Sequence, residues 1–160
     1  MARVERDRED LLAEATALVE RVELELPGMS QHVIVGFRST GCGSVYLGPD
    51  EAYQFNTAGQ LRRAYHGGHL YKSEGGRLVQ LARRRSEGQA QLIRHDLDAA
   101  ETATFLGRMT EALDSLAAAL RDRSHRIVGQ VPEGADVVGR AVAWLSTLPP
   151  GAIARTPHAR

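Results

Sequence analysis

Between Tyr53 and Arg85 the chain reads YQFNTAGQLRRAYHGGHLYKSEGGRLVQLARRR, short runs rich in Leu, Val and Tyr cut by three turn signals. The signals are Asn56-Thr57-Ala58-Gly59, Gly67-Gly68 and Gly75-Gly76. A two-residue Gly-Gly loop suits the primed β-turns, whose positive φ only glycine adopts without steric cost. Extended runs joined in this way are consecutive hairpins, so the stretch is predicted to be a β-meander.

Two-residue turns also fix the register. Counting outward from them sets Tyr65 opposite Leu70, Ala64 opposite Tyr71, Lys72 opposite Val79 and Glu74 opposite Arg77. Side chains alternate between faces. One face then collects Leu61, Tyr65, Leu70, Val79 and Leu81, with Arg63, Lys72, Glu74 and Arg77 towards its margins. This is the expected core side. The other face collects Arg62, His66, His69, Tyr71, Gln80 and Arg84, and is polar and cationic. A shift of one residue would exchange the two sets.

The flanking sequence supplies strands before the meander and helices around it. Residues 4–22 carry Val4, Leu11, Leu12, Ala15, Leu18, Val19 and Val22 at helical spacing, which predicts an N-terminal amphipathic helix. Leu24 and Leu26 alternate with glutamates as a short edge strand. His32–Arg38 and Val45–Leu47 read as strands, and Gln89–Leu97 as the last of six or seven. Asp98-Ala99-Ala100-Glu101 has the form of a capping box. It opens a long helix over about 98–122, with Phe105, Leu106, Met109, Leu113, Leu116 and Leu120 on one face. Ser124–Val131 is expected to be extended. A shorter helix carrying Val137, Val138, Ala141, Val142, Leu145 and Leu148 ends at Pro149-Pro150.

The expected fold is therefore a single α+β domain over residues 1–148, a curved antiparallel sheet or small open barrel packed by helices. Residues 149–160 are expected to form a disordered tail.

At 160 residues with 42% hydrophobic and 25% charged content, the chain can build a core without metal or disulfide staples. The single cysteine, Cys42, excludes an internal disulfide and fits a reducing compartment. No apolar run reaches the roughly 20 residues a membrane span requires. A cytoplasmic location without membrane contact is the expectation. Formal net charge is zero, with 20 basic and 20 acidic residues. It is unevenly spread: residues 1–31 hold four Arg against eight acids, whereas residues 32–97 hold nine Lys or Arg against five.

No motif demands catalysis. His66 and His69, facing each other across Gly67-Gly68, could begin a metal site, but no third ligand is evident, so no cofactor is expected. Cys42 between Gly41 and Gly43 has no adjacent base to activate it. The loop Thr40–Ser44 lacks the Gly-Lys-Ser/Thr ending of a phosphate loop, and its glycines fit a bend. Arg62, Arg84 and Arg85 around Tyr71 could attract phosphates and stack bases, although a neutral chain is atypical of dedicated nucleic-acid binders.

The run from Tyr53 to Leu61 resembles one unit of the YD repeats of RHS-type proteins, with Tyr71 and Gly76-Arg77-Leu78 as a shortened echo. That resemblance implies β-hairpins and carries no functional residue with it. The leading expectation is a non-catalytic binding or scaffold domain that contacts a protein partner, or a second copy, through its sheet face or a strand edge. Polyanion binding is the alternative. A small enzyme or ligand carrier, with a pocket between sheet and helix, is the third. The candidate binding residues are Arg62, His66, His69, Tyr71, Arg84 and Arg85.

Overall fold

A computed structural model describes Ala13, Leu18 and residues 20–29, 32–38, 41–86, 88–148 and 151–155, with backbone alone at 83–86, 89, 90 and 92. Nine strands follow one another: β1 (Glu20–Glu25), β2 (Val33–Phe37), β3 (Gly43–Gly48), β4 (Glu51–Phe55), β5 (Leu61–His66), β6 (His69–Glu74), β7 (Arg77–Ser86), β8 (Gln89–Asp96) and β9 (Arg126–Val131). Two helices complete the described residues, α1 (Ala99–Arg121) and α2 (Val137–Thr147). The strands form one antiparallel sheet in the order β8-β7-β6-β5-β4-β3-β2-β1-β9. β8 and β9 stand at opposite edges, so among the described residues the sheet is open and not closed into a barrel.

The register expected from the glycine turns is the register observed: Tyr65 with Leu70, Ala64 with Tyr71, Lys72 with Val79 and Glu74 with Arg77. Gly67, Gly68, Gly75 and Gly76 all have positive φ, between 59° and 87°. These pairings extend into rows that cross the whole meander. One runs Val22, Val35, Val45, Tyr53, Ala64, Tyr71, Gln80, His95. The neighbouring row, one residue along, runs Glu23, Ile34, Tyr46, Ala52, Tyr65, Leu70, Leu81, Arg94. Because side chains alternate, the two rows occupy opposite faces.

The helices cover the first row. Phe105, Met109, Leu116, Ala117 and Leu120 of α1 and Val137, Ala141, Trp144 and Leu145 of α2 share one core with Val22, Val35, Val45, Tyr53 and Ala64. Each fully buried Val, Leu or Phe there stabilises the fold by roughly 1.5–3 kcal/mol relative to exposure. The face expected to be the core side carries a second, smaller cluster of Ala52, Tyr65 and Leu70, with Tyr46 and Leu81 packed on it. So the helix layer lies on the Tyr71 face, and both faces hold buried residues.

Other details differ from expectation. The strand count is nine rather than six or seven, because Glu20–Glu25 and Arg126–Val131 both join the sheet. β1 is interior, flanked by β2 and β9, not an edge strand. Its first residues, Glu20 to Val22, were expected to end the N-terminal helix; most of residues 4–19 lies outside the described residues. Gly151–Arg155, placed by the sequence in the tail, runs beside β5. Leu61 donates to the Ala152 carbonyl at 2.9 Å, Ala154 donates back to Leu61 at 2.8 Å, and Ala154 is buried. A backbone that finds partners on both sides orders without large side chains.

The capping box is present. The Glu101 N–H donates to Asp98 Oδ1 at 2.8 Å, and the Asp98 N–H donates to Glu101 Oε1 at 3.0 Å. Gly41 and Gly43 meet neighbours too close for any side chain. A Cβ on Gly41 would fall 2.0 Å from the Thr57 carbonyl oxygen, and one on Gly43 would fall 2.3 Å from the Trp144 ring. The glycines around Cys42 thus serve close packing, with Trp144 Nε1–H donating to the Gly41 carbonyl at 2.5 Å. Among the described residues no helix is long and apolar enough to cross a membrane.

Candidate binding surfaces

Tyr71 and His66 come together as the register requires, but under a helix. Phe105, in the second turn of α1, sits with its ring centroid 4.5 Å from Tyr71, 6.2 Å from His66 and 6.3 Å from Tyr53. Edge-on and tilted aromatic contacts of this kind add to the area they bury. What remains open of the face is a cleft of about 290 Å³ where α1 overhangs β6 and β7. Tyr71 and Gln80 form its floor, and Glu101, Thr104, Phe105 and Arg108 line the helix side.

The polar groups of this cleft are arranged unequally. Gln80 Nε2 donates to the Tyr71 hydroxyl oxygen at 3.1 Å, which leaves the phenolic proton free to donate elsewhere. Burial pushes the Tyr71 pKa up, against the Gln80 hydrogen bond and the Arg108 charge, so the phenol is protonated at neutral pH. Glu101 is fully engaged: the Asp98 N–H and then the His95 ring hold its carboxyl below the usual range. Arg108 forms no hydrogen bond or ion pair with a described residue.

Deeper in the row, the Tyr53 hydroxyl donates to Glu51 Oε2 at 2.6 Å. Burial, followed by that carboxylate, raises the Tyr53 pKa far above its ordinary value. The register also aligns Glu51, His66 and His69 across β4, β5 and β6, giving the two histidines the acidic neighbour the sequence did not reveal. Glu51 is turned to Tyr53 and the His66 ring to Phe105. Among the described residues no three His, Cys, Asp or Glu side chains are grouped to hold a metal. His69 Nδ1 is buried without a described hydrogen-bond partner.

The other expected site residues lie elsewhere. Arg62 lines a separate hollow of about 250 Å³ with Arg38, Cys42, Ser44 and Gln54. The bulge between Gln54 and Phe55, where β4 meets β5, breaks the alternation beside it. Arg62 and Tyr71 therefore do not line one hollow. The backbone of Arg84 and Arg85 pairs with Gln91 and Ala90 in the β7–β8 hairpin, and their side chains lie outside the described residues.

A further surface was not anticipated from the sequence. Among the described residues β9 pairs with β1 alone, and no described strand borders its other edge. Of four large hydrophobics exposed on the described surface, two are on this six-residue strand, Ile127 at 43% and Val131 at 38%. Ile127 faces the helix layer, because its partner Leu24 is core, and it lines a groove of about 390 Å³. Leu120 from the end of α1 and Val138 and Val142 from α2 form the opposite walls. Arg121, Arg123 and His125 stand on the rim. The only acid among the described lining residues, Asp136, caps α2 by accepting from the Gly139 N–H at 3.0 Å. The sequence marked this strand as extended, but alternation alone cannot reveal that it pairs with β1, where Glu25, 101 positions earlier, holds Arg126.

Comparisons with protein-family models, with curated proteins and with solved structures gave no match.

Proposed function

We propose that this chain is a protein-binding domain whose contact surface is the open edge of β9 together with the groove beside it. The observation that carries the reading is Ile127, an apolar side chain on the core face of an edge strand, 43% exposed between two helix ends. An extended segment laid along β9 would bond to its outward N–H and C=O groups. Its inward side chains would enter the groove against Leu120, Ile127 and Val142. This is strand addition, in which main-chain bonds supply affinity and alternate pockets supply specificity. The cationic rim favours a segment that bears acidic residues beside apolar ones. The bulge at Glu23/Leu24 and the Arg126–Glu25 pair restrict such pairing to part of the edge, as edge strands require to avoid indiscriminate association.

Selection from a library of displayed extended peptides tests this. Enriched peptides are expected to alternate apolar residues, to carry acids, and to slow amide exchange across Arg126–Val131. Ile127→Asp should weaken them tenfold or more. Ile93→Asp, on the opposite edge, should leave them unchanged. Peptides that protect β8 instead, or bind Ile127→Asp equally well, would refute the assignment.

A further inference from the structure

The cleft at the other end of α1 has features that strand addition at β9 does not use. We propose that it is a binding site for a small aromatic carboxylate, with the carboxylate on Arg108 and the ring on the Tyr71–Phe105 pair. Three observations converge on that ligand class.

The first is charge. Arg108 presents a guanidinium that no described residue pairs with, at a position where its charge already acts on both Tyr53 and Tyr71. A guanidinium offers a planar fork of donors that matches a carboxylate in two parallel hydrogen bonds. The second is a further donor. The Tyr71 hydroxyl accepts from Gln80, so its own proton is left available to an acceptor in the cleft it lines. The site is therefore rich in donors on its floor and at the Arg108 end. At the opposite end its one acid, Glu101, is held by His95 and the Asp98 N–H, and it repels an anion. That polarity sets the direction in which a carboxylate lies.

The third is shape. The apolar lining is Tyr71, Phe105, Leu97 and Ala100, two of them aromatic and inclined at 41° with centroids 4.5 Å apart. A flat ring packs on such a surface in the offset or edge-on manner aromatics favour. A volume of about 290 Å³ lies just below the range of drug-sized ligand sites, roughly 300–1,000 Å³, which suits a single-ring acid and not a nucleotide. Glu101, Thr104 and Arg108 lie at i, i+3 and i+7 on α1, so the rim is built on a rigid helix anchored by its capping box.

The test uses the full chain labelled with ¹⁵N and titrated with sodium benzoate, sodium acetate and benzylamine. Benzoate is expected to shift the amides of Tyr71, Gln80 and residues 97–108 saturably. Acetate, lacking the ring, should bind at least tenfold more weakly, and benzylamine should give no saturable shift there. Arg108→Gln, on the exposed side of α1, should weaken benzoate about tenfold, the range for losing a charge-assisted hydrogen bond. Tyr71→Phe keeps the ring and should weaken it less. Four outcomes would overturn the proposal: no saturable shift up to the solubility limit, equal affinity for Arg108→Gln, equal response to benzylamine, or shifts confined to the β9 groove. Peptide binding at β9 is a separate measurement, so either site can fail without the other.

Discussion

Gly43→Ala is expected to destabilise the fold by about 2–4 kcal/mol, although it adds one methyl group in a strand. The new Cβ would stand 2.3 Å from Cζ2 and 2.8 Å from Cε2 of Trp144, and 2.7 Å from the carbonyl oxygen of Gly36 on β2. Neither neighbour can withdraw cheaply. The indole is stacked on Phe37 at 5.8 Å, meets Phe55 edge-on at 6.0 Å and is tied by Nε1–H to the Gly41 carbonyl. Overpacking a filled core costs about 1–3 kcal/mol. Displacing the indole far enough to lose its hydrogen bond adds about 1 kcal/mol. Trp144 is the only tryptophan, so its fluorescence during urea unfolding reports the transition directly. The decisive measurement is a double-mutant cycle with Trp144→Phe, followed by circular dichroism. The smaller ring should relieve part of the clash, so Gly43→Ala should cost at least about 1 kcal/mol less in that background. A cost below about 0.5 kcal/mol, or strict additivity, would show that β3 or α2 shifts freely and that the packing account is mistaken.

Two further outcomes test other parts of the structure. Tyr53 has a raised pKa in the folded state, so its contribution is fully present below the unfolded phenol value of roughly 10 and falls as pH rises above it; Tyr53→Phe should flatten the alkaline decline in urea midpoint, and an unchanged slope would contradict the buried Tyr53–Glu51 contact. Gly107 lies inside α1, and a methyl group added at its Cα would meet nothing within 4 Å, so Gly107→Ala should raise stability by about 0.5–1 kcal/mol, and a loss measured by thermal melting would mean that this helix face is occupied.

Much of the meander was legible because glycine pairs determine local geometry. The pairing of Tyr65 with Leu70 and of Lys72 with Val79 follows from counting alone. Which face the helices cover was not legible. Leu70 and Leu81 lie on one side, and Tyr71 and Ala64 on the other, and both sides bury apolar surface. Tyr71 reads as polar by its hydroxyl, yet its ring packs on Phe105 as a core aromatic does. The partners of β1 were out of reach for another reason. Pairing between Glu25 and Arg126 depends on how α1 crosses the sheet, which no local pattern encodes. The same holds for the candidate site. His66 and Tyr71 could be placed on one face from the register, whereas Arg108 and Phe105 enter only through that crossing.

The strand order also has a consequence for how the chain is made. β1 to β8 pair each with the next, so this meander can assemble as it leaves the ribosome, one hairpin at a time. β1 is the exception, since its outer edge waits until the polypeptide has grown through α1 to reach Arg126. Throughout that interval the nascent chain carries an unguarded strand and the uncovered valine row of Val22, Val35 and Val45, the features that recruit chaperones or a neighbouring copy. β9 arrives last, is bulged and among the described strands is held from one side only, which makes it the strand most readily exchanged between two chains.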